Sequence, residues 1–114
     1  MSEVQMQDRP KTDPADFSAT LVERPGSPHN LTVTGKAIGD YRVHDVKLVR
    51  AHHQHGSRLV LDVTDRLGPI ENPHPTIERV FALEYREDPA QHRYTHVEIV
   101  NGPQRFTIDV HFVL

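Results

Sequence analysis

The sequence predicts an all-β domain: an immunoglobulin-like antiparallel β-sandwich of about seven short strands. Three observations point there. Phe106, Ile108, Val110, Phe112 and Leu114 share one parity, while Arg105, Thr107, Asp109 and His111 share the other. Successive side chains on a strand point to opposite faces, so such a segment lays one face on a core. Turn signals also recur every 8–12 residues or about that. Finally, nine prolines among 114 residues favour many turns over long regular segments.

The length fits one domain, and a chain of this size buries roughly two-thirds of its unfolded surface. With no cysteine, disulfides, thiolate metal sites and cysteine nucleophiles are excluded. A formal charge of -3 without a basic stripe argues against nucleic acid as a partner. No stretch approaches the roughly 20 apolar residues of a membrane span, and the first residues show no secretory leader. A cytoplasmic protein with no membrane partner is expected. The chain is histidine-rich, with nine, so its net charge can change sign on mild acidification.

Taken in order, residues 1–16 are polar and carry Pro10 and Pro14, so a disordered tail is expected there and the sandwich domain over 17–114. Phe17, Ala19 and Leu21 alternate with polar residues as a first strand. Pro25-Gly26-Ser27-Pro28 turns the chain. Leu31, Val33 and Ala37 mark a second strand, in which Gly35 signals a bulge or close packing. Gly39-Asp40 is a tight turn. The third strand changes parity between Val43 and Val46, which predicts a bulge at His44-Asp45 with Asp45 leaning inward. Leu59, Leu61 and Val63 mark a fourth strand, and a proline-rich connection over 67–75 crosses to the next.

Residues 76–87 read two ways. Ala82, Leu83, Glu84 and Arg86 are good helix formers. A helix would put Glu84 in the stripe of Ile77, Val80 and Phe81, whereas a strand puts Phe81, Leu83 and Tyr85 on one face. The strand is the better fit. Residues 94–114 close the chain as a hairpin. An Asn101-Gly102 two-residue turn would need an amide on Pro103, which has none. The preferred register therefore sets Val100 opposite Arg105, with 101–104 as a four-residue loop. That register brings His96 opposite Asp109 and Glu98 opposite Thr107, with His111 diagonal to His96, all on the outer face.

Two clusters are candidate sites. His52, His53 and His55 sit on one loop, and neutral imidazoles suit zinc, copper or nickel. A structural zinc site wants four ligands, so a carboxylate from another loop would have to join them. The second cluster is His96, Glu98, Asp109 and His111. An open sheet face offers no water-excluded pocket of the kind catalysis needs. The four serines lack a nucleophile-elbow context, and the glycines form no phosphate loop. His44 and His74 read as surface residues. The chain is thus expected to be no enzyme and to bind without catalysis, most simply another protein through its loops or an edge strand. No resident cofactor is expected. The alternative is a transition-metal protein, of zinc, copper or nickel, built on the histidine loop.

Overall fold

The structure, a computed structural model, describes residues 9–73 and 75–114. It is all-β, as the alternation requires. The strands are β1 (Lys11–Thr12), β2 (Ser18–Val22), β3 (Asn30–Gly39), β4 (Val43–Arg50), β5 (Arg58–Leu67), β6 (Arg79–Glu87), β7 (His96–Asn101) and β8 (Gln104–Val113). They form one curled sheet, with neighbours in the order β4, β5, β7, β8, β2, β3 and β6, and with β1 continuing beside β3.

The sheet is mixed, whereas the sequence suggested antiparallel pairing throughout. Two contacts are parallel, β2 with β8 and β5 with β7. Period-2 patterning fixes which face is buried but is blind to strand direction, so this correction could not come from alternation. The result is a half-barrel, and its pairing does not establish the immunoglobulin-like sandwich. β8 turns the curve: residues up to Asp109 pair with β7, and Val110 to Val113 pair with β2. Its free margins, β4 and β6, meet at one end, where Arg50 Nε lies 3.4 Å from Glu87 Oε2.

The core is the inner face of that curl. Ala19, Leu21, Leu31, Val33, Val43, Leu59, Leu61, Val97 and Ile99 are fully buried. Phe106 and Ile108 are half-buried against them. The run 76–87 is strand from Arg79 onward, with Leu83 and Glu87 buried and Ala82, Glu84 and Arg86 exposed. Gly35 marks close packing, because a Cβ there would sit 2.3 Å from the Phe17 ring. That ring in turn meets Phe106 edge-on, with centroids 5.3 Å apart.

The β4–β5 ladder slips between His44 and Lys47, and Asp45 takes φ 53°, so the expected bulge is present. Asp45 does not lean inward, however. It is exposed and holds Arg66 at 2.8 Å. Positive φ aims its side chain off the sheet, and short polar residues tolerate that conformation best.

Of the expected tail over 1–16, residues 1–8 lie outside the described residues. Within 9–16, Lys11–Thr12 join the sheet as β1 and Pro14–Asp16 form a 3-10 turn, instead of a tail. Lys11 and Thr12 pair with Ile38 and Ala37. Asn101 Nδ2 donates to Pro10 O at 2.8 Å and to Thr12 Oγ1 at 3.0 Å. Asp13 caps the 3-10 turn Pro14–Asp16 by accepting from Ala15 N at 3.0 Å. Polarity suggested a tail, but the backbone of this segment bonds to β3 and its side chains to the closing hairpin. Among the described residues no helix is long and apolar enough to cross a membrane.

Candidate functional site

The closing hairpin adopts the register the sequence favours. His96 pairs with Asp109, Glu98 with Thr107 and Val100 with Arg105. The pairing runs one step further, Asn101 to Gln104, so the expected four-residue loop is a two-residue turn of Gly102 and Pro103. Gly102 has φ 60°. Proline locks φ near −65°, so of the two hairpin turns only type II′ admits Pro103 second. The amide that Pro103 lacks is not needed there.

Of the second cluster, His96 and Asp109 come together as a cross-strand pair, while Glu98 is engaged by other partners. His96 Nε2 lies 3.3 Å from Asp109 Oδ1, with both side chains largely exposed. His111 is exposed opposite Thr20 of β2. Glu98 departs from this group. It does occupy the outer face, yet it is only 9% exposed. Arg58 Nε approaches its Oε1 at 3.5 Å, and Arg105 Nη1 donates to its Oε2 at 3.2 Å. The two guanidinium stems cover the carboxylate from neighbouring strands.

The histidine loop joins β4 to β5 and is held by one side chain. Gln54 Nε2 donates to Ala51 O at 2.7 Å and to Val60 O at 3.0 Å, while Val60 N donates to Gln54 Oε1 at 2.9 Å. The side-chain amide thus stands in for a strand residue beside β5. Gly56, at φ 65°, closes the turn into Arg58. His52, His53 and His55 are exposed on this pinned loop.

Loop and hairpin meet over the outer face of the sheet. His52, His53 and His55 overlook an open cleft of about 520 Å³ whose apolar lining is Ala51, Val60 and Val100. Its polar lining is Asp62, Glu98 and Arg105. Among the described residues no group of three or more His, Cys, Asp or Glu is placed to hold a metal ion. The histidines share a rim without converging on a point. His74 lies outside the described residues, and His44 is half-buried, its ring 3.0 Å from where a Gly68 Cβ would stand.

A polar cluster escaped the sequence reading. Glu87 is 7% exposed on the inner face. It accepts from Tyr85 Oη at 2.6 Å, Tyr94 Oη at 2.8 Å and Gln91 N at 3.0 Å. Desolvation pushes its carboxyl upward. The Gln91 amide, the two phenols and Arg50 outweigh that and hold it below the ordinary carboxylate value. Tyr94, fully buried, is pushed up to about 12 by desolvation and by its bond to Glu87. The carboxylate has its acceptors filled, while the buried Arg50 Nε makes only an ion-pair approach to it and no hydrogen bond, so the set ties the two margins of the sheet together. Its signal was present in the sequence, since Glu87 shares the parity of Leu83 and Tyr85. Val60 carried a second one: an apolar residue between Leu59 and Leu61 breaks alternation where the outer face is covered.

No protein-family model matches the chain, and the searches of curated proteins and of solved structures found no match either.

Proposed function

We propose that this protein is a small binding module without chemistry of its own, and that the cleft beneath the histidine loop is its contact surface. One observation carries this: the loop histidines and the buried Glu98, distant in sequence, line the same preformed cleft over an apolar floor. Pinning by Gln54 keeps the rim ordered before any partner arrives, which lowers the entropic cost of binding. Both Glu98 oxygens are engaged by arginines, so neither stands open to a bound molecule. A protein partner in the cytoplasm is part of the proposal, supported by the absence of cysteine and of a basic stripe. An immunoglobulin-like relationship is also part of it, supported by two strand sets joined through β8.

Affinity capture from the source cell tests the reading, with three baits compared. The wild type and an Arg79→Ala/Arg86→Ala control should recover the same protein. A His52→Ser/His53→Ser/Arg105→Glu bait should lose it. Recovery unchanged by the cleft variant would remove the cleft as the contact surface.

A further inference from the structure

We propose that Asp62 anchors a subsite for an organic cation, a primary ammonium or guanidinium group on an aliphatic stem. The inference rests on the cleft being a binding surface and names what that surface recognises.

Asp62 occupies the outer face of β5. Its register partners are Val49 on β4 and Val100 on β7, and Val60 precedes it by two residues on the same face. The carboxylate is half-buried in an apolar saddle. No hydrogen bond or ion pair to its side chain occurs among the described residues. Lys47, the diagonal cation on that face, pairs across to Thr64 and makes no ion pair with it.

The other charges of the cleft are committed. Each Glu98 oxygen is taken by one arginine, Oε1 by Arg58 and Oε2 by Arg105. An incoming anion would have to break that arrangement, whereas a cation finds Asp62 open. Counting Arg58, which holds Glu98 from beside the lining, the two carboxylates and two guanidiniums cancel, so the attraction for a cation rests on Asp62 itself. Val60, Val100 and Val49 offer apolar surface to a methylene stem. The imidazole rings above can accept hydrogen bonds from the donors such a head group carries.

Nitrogen-edited NMR titration of the full chain tests this. The cationic probes are n-butylammonium, n-butylguanidinium and the blocked tripeptide acetyl-Gly-Lys-Gly-amide; n-butanol and butyrate are the neutral and anionic counterparts. The cations should give saturable shifts at Val60, Asp62 and Val100, and the counterparts should give none there. Asp62→Asn should weaken the cations by about tenfold or more, the size of one charge-assisted hydrogen bond. Tighter binding of the tripeptide than of butylammonium would identify a protein side chain as the source, and equal binding a free small cation. Absence of saturable shifts, a match by butanol, or indifference to Asp62→Asn would overturn the proposal. The capture experiment above would stand independently of that result.

Discussion

Tyr94 Oη donates to Glu87 Oε1 at 2.8 Å in the enclosed end of the half-barrel. The bond joins the loop before β7 to the margin strand β6, and Arg50 adds the opposite margin at 3.4 Å. The end of β6, the loop that follows it and the distant end of β4 thus depend on one buried carboxylate. Removing a hydrogen bond to a charged group costs about 1.5–3 kcal/mol. Tyr94→Phe should lower urea-melt stability by about that much. Glu87→Ala should cost more, about 3–5 kcal/mol, because Arg50 would be left with its partner missing. A Glu87→Ala variant as stable as wild type would show that the margins do not need this tie.

The same cluster sets the pH limits of the fold. The Glu87 carboxyl is held below its ordinary value of 4.5, so the folded state binds its proton less readily than the unfolded chain. Its contribution is whole above about pH 4.5 and is lost as pH falls through the lower folded value. Tyr94 works in the opposite sense. Its phenol is raised to about 12, so its contribution holds below pH 10, the ordinary phenol value, and fades towards 12. Stability profiles by urea melts should fall at both ends, and Glu87→Gln should flatten the acid limb. An acid limb identical in Glu87→Gln would assign acid unfolding to other carboxylates.

Period 2 made the fold class and the buried face legible. Phe106, Ile108 and Val110 lie inward as their parity requires, whereas Phe112 and Leu114 of the same parity are exposed at the end of the strand, and the bulge at Asp45 follows from the shift between Val43 and Val46. Strand direction was not legible, since Ala19 beside Val110 in parallel presents the same face as it would in antiparallel. The candidate site was half legible. Histidine spacing marked the loop, but Glu98 reads as a solvent-facing acid until Arg58 and Arg105 are seen to close over it. Residues 9–16 misled through polarity alone: Pro10 has almost no accessible surface, because Asn101 and Gln104 reach across to this segment.

That crossing can be cut. Asn101 is 3% exposed, and its amide supplies two of the bonds to the N-terminal segment, beside the two that Gln104 makes with Thr12. Asn101→Asp replaces the donor by a buried carboxylate facing the Pro10 carbonyl. A loss of about 1–3 kcal/mol is expected from the unpaired groups. Amides of Lys11 and Thr12 should lose exchange protection before those of β7 do. Uniform loss of protection across the sheet would mean the segment has no separate opening.

Gly35 gives the sharpest packing prediction. A Cβ at that position would meet Phe17 Cδ2 and Cε2 at 2.3 Å each. No side chain tolerates such a contact, so Phe17 must move, and its edge-on contact with Phe106 must give way with it. Overpacking of this kind costs about 1–3 kcal/mol. Gly35→Ala should show that loss in urea melts. In a Phe17→Leu background the smaller side chain leaves room for the methyl, so the added cost of Gly35→Ala should shrink markedly. The double-mutant cycle therefore separates a steric collision from the backbone preference of glycine: an equal penalty in both backgrounds would place the cost in the β3 backbone and not against the ring.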